Sequence, residues 1–210
     1  MSLAAPVRRP VLADLIARPT GRARAFALDA ALVVTGAVFV AALAQLEVPL
    51  WPVPVTGQTL GVVVVGAALG ARRGAAALTT YLLAGLAGLP VFAGFTGSIA
   101  AVAKPSFGFI IGFIVAAFVA GWFAERAWDR RPVLAFAGFV LASAIPFVFG
   151  IPYMAFILNV VGGGAFGVGE ILQFGLWPFI VGGLVKAALA ALLIPAAWAG
   201  VRAVDRRKNG

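Results

Sequence analysis

Lys186 is the one charge inside the apolar run from Trp177 to Gly200. At ~1.5 Å per helical residue it lies ~13 Å below the start of that run, near the middle of a ~30 Å hydrocarbon layer. A cation at that depth is costly, and its default reading is a contact with a ligand or an ion. The alternative is a lysine whose stem bends to an interface or whose ammonium bonds neighbouring carbonyls. Few other polar side chains share that level: Thr56, Gln58 and Thr59 follow Pro49, Pro52 and Pro54, Tyr81 lies within a third apolar run, and Asn159 ends a fifth. Gln58 and Asn159 each offer paired donors and acceptors that suit an amide or ureido group. With Lys186 for a carboxylate, the set suits a small acid with a polar head and an apolar middle. Each of these residues taken singly is equally an inter-helix hydrogen bond.

The missing residue types narrow the chemistry further. Cysteine and histidine are both absent, which removes disulfides, thiolate metal sites and the commonest proton shuttle. No cofactor or metal is expected. A phosphate-binding loop needs lysine followed by serine or threonine after a glycine-rich turn; the three lysines here precede Pro105, Ala187 and Asn209. Asp14, Asp29, Glu47, Glu125, Asp129, Glu170 and Asp205 all fall in expected tails, loops or helix ends, which disfavours a self-powered proton symporter. Lys186 could in principle activate Ser98, Ser106 or Ser143, but none has the context of a nucleophile. The expectation is a binding protein and not an enzyme. An autonomous carrier for a small carboxylate, or a purely structural subunit, are the other readings.

The elements that must position these residues are membrane helices. The chain has 210 residues, 63% of them hydrophobic and 11% charged, and one soluble core could not hide so much apolar surface. Apolar runs span Ala25 to Ala44, about Thr56 to Leu69, Gly74 to about Leu89, Phe107 to Ala124, Pro132 to about Leu158, and Trp177 to Gly200. Six spans predict an all-α bundle over 25–201, with a tail at 1–24 and a basic tail at 202–210. The net charge of +9 is not a nucleic-acid footprint, since no basic stripe runs along a face. Arg8, Arg9, Arg18, Arg22 and Arg24 precede the first span, while Arg72, Arg73, Arg126, Arg130 and Arg131 lie between spans. Arg202, Arg206, Arg207 and Lys208 follow the last. All fall on one side of a six-span zigzag, which is cytoplasmic by the positive-inside rule; only Lys104 and Lys186 lie elsewhere. Both termini are therefore expected inside, in a bacterial cell membrane. Although Arg8-Arg9 looks like a twin-arginine start, Asp14 and Arg18 break the apolar stretch that such a signal needs, so the tail reads as a surface segment meeting lipid headgroups. On the outer side, residues 88–98 read as a lid, and the glycine run 162–169 as either cavity backbone or plain connector.

Several segments resemble the BioY family, the biotin-binding S components of energy-coupling factor transporters. These are Val53-Pro-Val-Thr-Gly-Gln-Thr-Leu-Gly61, Arg72-Arg73-Gly74, Tyr81 through Gly94, and Pro178-Phe179 leading to Gly182 and Lys186-Ala-Ala. The resemblance covers about residues 25 to 200. It implies six membrane helices, an outward pocket for biotin covered by loops, and a partner module of a transmembrane T protein and two ATP-binding subunits. It also implies that Ala37 and Ala41 form the small-residue motif that packs on the T protein. On this basis Lys186 is assigned to the biotin carboxylate or an adjacent polar group. Gln58, Asn159 and Thr56 are assigned to the ureido ring, Phe92, Tyr81 and Tyr153 to the apolar walls, and Gly94, in the stretch read as a lid, is also taken as a substrate-binding residue. Gly183 stands where many relatives carry aspartate, three residues before the lysine and on the same helical face. Tyr153 stands where they often have tryptophan.

Overall fold

The computed structural model describes residues 8–16 and 20–208, with side chains through Val204. Arg18 and the side chains of Asp205, Arg206, Arg207 and Lys208 lie outside the described residues. The chain forms α1 (Arg22–Ala44), α2 (Gln58–Leu69), α3 (Ala71–Leu86), α4 (Phe107–Ala124), α5 (Pro132–Phe156), α6 (Val168–Gly175) and α7 (Trp177–Lys208). A short antiparallel pair, β1 (Glu47–Val48) and β2 (Val55–Thr56), precedes α2, with Glu47 opposite Thr56. Four helical stretches are long and apolar enough to cross a membrane: Arg22–Ala44, Phe107–Ala124, Pro132–Val161 and Val168–Val204. With α2 and α3 packed among them, and α6 and α7 together making the single stretch Val168–Val204, the chain is a multi-pass membrane protein of six helical stretches.

Most expected spans coincide with helices, and the departures have local causes. Helix α1 begins at Arg22, so Arg22 and Arg24 belong to it and not to a tail. The fifth span leaves α geometry after Phe156 and closes as a π turn over Ile157–Val161. An eight-residue helix, α6, begins within the glycine run and takes in its last glycine, Gly169. The last helix continues past Gly200 to Lys208, so the expected basic tail is largely helical. At ~1.5 Å per residue it is roughly 48 Å long, more than a ~30 Å hydrocarbon layer requires.

Close backbone approach sets the centre of the bundle. A Cβ on Gly66 of α2 would stand 2.4 Å from the Ala117 carbonyl oxygen of α4, and one on Gly74 of α3 would stand 2.9 Å from the Gly66 Cα. Three helices therefore meet backbone to backbone, the membrane mode in which small residues replace a hydrophobic driving force. Gly70, with φ +86°, supplies the left-handed turn between α2 and α3. The carboxylate of Glu125 then caps α3 by accepting the Ala71 N–H at 2.9 Å, an anion at a helix N-terminus.

The arginine-bearing end of the bundle is sealed by the N-terminal segment. Val11 is fully buried there, and Arg9 N–H donates to the Glu125 carbonyl at 2.9 Å. Arg8 pairs with Glu125 (3.2 Å) and Asp14 (3.6 Å), while Arg73 pairs with Asp14 (2.9 Å) and Asp29 (2.8 Å). The described part of the tail thus packs on the protein, where the sequence reading placed it on headgroups; Val11 and Ala13 give it an apolar face that the bundle covers.

Asp129, in the turn between α4 and α5, is the most deeply buried carboxyl of this end, 1% exposed. It accepts Trp198 Nε1–H of α7 at 2.5 Å, and its Oδ1 is buried with no hydrogen-bond partner among the described residues. Burial pushes its pKa up to about 6, against the lowering effects of the Trp198 hydrogen bond and the Arg130 charge. A folded pKa above the unfolded one means that the proton stabilises the fold, fully below about pH 4 and less as pH rises through about 6. Asp14 is held below its ordinary value: burial raises it, but the Val11 N–H and the guanidinium groups of Arg73 and Arg8 outweigh that. Its contribution is lost only as pH falls through the ordinary carboxylate range, outside a window of about pH 5 to 7.5. The thermal midpoint is therefore expected to fall between about pH 5 and about pH 7.5 in the native chain and to stay flat over that range in Asp129→Asn. Parallel slopes in the two proteins would refute the assignment.

Candidate functional site

The geometry of the site follows from the shortness of α2. Twelve residues make roughly 18 Å of helix, so this helix leaves the outer part of the bundle unfilled. That space holds the β1–β2 pair, the proline-rich entry, and a cavity of about 220 Å³. The first residues of α2 are consequently the polar ones that reach the cavity from within the membrane. Thr56, Gln58, Thr59 and Lys186 line its buried end, and Phe92, Phe109, Phe113, Phe147 and Phe179 its walls. Phe109, Phe147 and Phe179 form one aromatic group, with centroids 5.8 to 6.1 Å apart.

Lys186 reaches this place because α7 packs on α2 and α5. Its ammonium donates to the Thr56 carbonyl oxygen and, at 3.2 Å, to Thr59 Oγ1. Among the described residues no carboxylate pairs with it. Its charge is thus met by a carbonyl and a hydroxyl, and of the three N–H donors of an ammonium one remains uncommitted. Gln58 and Thr56 are buried beside it. Thr56 Oγ1 donates to Gln58 Oε1 at 2.7 Å, and Gln58 Nε2 donates to the Tyr81 hydroxyl at 2.6 Å. This chain of hydrogen bonds fixes the amide so that it presents a set orientation to the cavity.

The structure brings Lys186, Thr56, Gln58 and Phe92 together on the cavity wall. Tyr81 stands behind Gln58, 1% exposed, and holds Phe92 edge-on at 5.4 Å; it supports the wall without forming it. Gly94, with φ +67°, makes the tight turn of the covering loop but is not on the cavity surface. Tyr153 packs on Phe107 and donates its hydroxyl to the Val102 carbonyl. Asn159 binds both backbone groups of Phe166, donating to its carbonyl at 3.0 Å and accepting its N–H at 2.8 Å. Both residues fix loops, and neither lines the cavity. The glycine run beyond Asn159 is likewise absent from the lining, so it serves as a connector. Ala37 is 7% exposed and packs against the bundle, and Ala41 is half-buried. Alanine spacing alone could not set the phase of that helix.

The wall phenylalanines Phe109, Phe113, Phe147 and Phe179 had no assigned role in the sequence, and neither did three polar contributors. Lys104 and Glu47, both exposed, stand at the cavity rim, and Lys104 Nζ lies 3.4 Å from Thr96 Oγ1. Gln45, at the end of α1, donates to the carbonyls of Val91 (3.4 Å) and Phe92 (3.2 Å) and accepts Phe95 N–H at 2.8 Å. One amide thus holds the loop that carries Phe92 over the cavity. Its only sequence signal is a lone glutamine closing an apolar run.

Known proteins share this architecture. A family model described as "BioY family" matches residues 17–203. Among curated proteins, "Biotin transporter BioY" of Rhizobium etli is 40% identical over 71% of this chain and 80% of its own length. "Biotin transporter BioY" of Thermotoga maritima is 34% identical over 78% of this chain and 87% of its own. A crystal structure described as the S-component for biotin from an ECF-type ABC transporter superposes with a TM-score of 0.68 over 85% of this chain and 94% of that one, at 22% identity. At that identity the likeness is one of fold.

Proposed function

This chain belongs to the BioY family, and from that premise we propose that it is the biotin-binding membrane subunit of an importer in a bacterial cell membrane. Energy comes from a separate module, a transmembrane T protein with two ATP-binding subunits. The observation that carries the reading is the cavity itself, whose buried end is polar and fixed by hydrogen bonds and whose walls are aromatic, as a ligand with a polar bicyclic head and an alkyl acid requires. Thr56, Gln58 and Lys186 bind by hydrogen bonding, and Phe92, Phe109, Phe147 and Phe179 by contact with the apolar parts. Tyr81, Asn159, Gly94 and Tyr153 act by holding walls and loops.

Two cations lie on this cavity, Lys186 at the buried end and Lys104 at the rim, so the carboxylate has two possible seats. Lys186 already has two oxygen partners, and Lys104 lies where water still solvates a charge; this observation favours a second orientation, with the ureido head inward and the acid at Lys104. Calorimetric titration of the purified chain in lipid nanodiscs with biotin and with biotin amide tests substrate and charge recognition together. Tight binding of biotin with a weakening of at least tenfold for the amide is expected. Absence of biotin binding would overturn the function, and equal affinities would remove both lysines from carboxylate recognition.

A further inference from the structure

A second cavity, of about 200 Å³, lies between α5 and α7 and shares Thr59, Phe147, Phe179 and Lys186 with the first. Its other walls include Val140, Ile180 and Leu184. Ile180 and Leu184 are 36% and 45% exposed on a helix whose outer surface faces hydrocarbon, so this cavity opens sideways to lipid. Gly183 also lines it, and a Cβ there would meet nothing within 4 Å; the missing side chain leaves room. The polar groups are the Lys186 ammonium and the hydroxyls of Thr59 and Ser143, with no carboxylate among the lining residues.

An apolar slot in the membrane that ends on an unpaired cation and two hydroxyls selects an alkyl chain with an anionic, hydrogen-bond-accepting end. A neutral tail alone would leave the uncommitted ammonium N–H unsatisfied, and a phospholipid headgroup, bulkier than a carboxylate, would bury a phosphate and its ester oxygens against only the three polar side chains of Lys186, Thr59 and Ser143. We propose that the α5–α7 cavity binds a long-chain carboxylate drawn from the bilayer, its tail along Ile180 and Leu184 and its carboxylate at Lys186, Ser143 and Thr59. Because Lys186 serves both cavities, such a fatty acid and the ligand of the first cavity compete for one ammonium; this competition rests on the function proposed above, whereas the binding itself does not.

The test uses the full chain in nanodiscs of saturated phosphatidylcholine, with oleate labelled with carbon-13 at the carboxyl. A saturable, shifted carboxyl resonance is expected in the native chain and not in Gly183→Leu, whose side chain fills the slot; Ser143→Leu repeats the test if the first variant folds poorly. Oleate is expected to raise the apparent Kd for biotin at least fivefold in the native chain and to leave it unchanged in Gly183→Leu, whose affinity without oleate matches the native value. No saturable resonance, or equal displacement by methyl oleate, overturns the site. A saturable oleate signal in a chain that does not bind biotin supports the site and removes only the function proposed for the first cavity.

Discussion

Replacing Lys186 with alanine is expected to weaken biotin binding by at least tenfold, about 1.5 kcal/mol, the lower end of what a hydrogen bond to a charged group contributes. Two effects combine. The ligand loses a donor that points into a low-dielectric cavity, and the Thr56 carbonyl loses a partner where water replaces it poorly. Lys104→Ala separates the two orientations: if the acid sits at the rim, this variant abolishes the difference between biotin and biotin amide, whereas Lys186→Ala keeps the difference and weakens both. If instead the acid sits at the buried end, the pattern reverses. Calorimetry showing native affinity in Lys186→Ala would take the lysine out of the binding site altogether.

The second large effect concerns stability. Gly66→Leu places side-chain carbon against the Ala117 carbonyl group, with contacts of 2.4 Å to its oxygen and 3.1 Å to its carbon, and 3.0 Å from the Ala120 Cβ. Backbone cannot yield by changing rotamer, so α2 and α4 must separate, at a cost of about 3 kcal/mol or more, the top of the range for overpacked cores. Folded yield and thermal midpoint in the same lipid are expected to drop sharply. Gly183→Ala is the matched control, since its new Cβ meets nothing within 4 Å, and its midpoint should hold or rise with helix propensity. A native midpoint in Gly66→Leu would show that the three-helix contact is not tight.

The fold was legible in the sequence wherever polarity changes abruptly. The fourth span was read at its observed bounds because Ser106 and Glu125-Arg126 fence it on both sides. The α6 helix is hidden in the sequence because its eight residues begin inside a run of glycines, and the extension of α7 is hidden by Gly200, which here continues a helix without terminating it. At the site, Lys186, Gln58 and Thr56 stood out as polar residues among apolar ones, and the structure gathers them at one cavity. Polarity could not say which way each residue faces. Asn159 and Tyr153 spend their polar groups on nearby backbone, and Ala37 turns inward, because helical phase depends on neighbours far away in sequence. The rim lysine Lys104 was seen as a charge out of place, yet only the folding of residues 92–106 brings it over the cavity.

The ion pairs among Arg8, Asp14, Arg73, Asp29 and Glu125 have a mechanical consequence. They lash the start of the chain, the first helix, the α2–α3 turn and the foot of α4 into one stiff base plate, while at the opposite end hydrogen bonds from the Gln45 amide and the Tyr153 hydroxyl, with no ion pair among the described residues, hold the loop over the cavity. Compliance is therefore graded along the bundle axis.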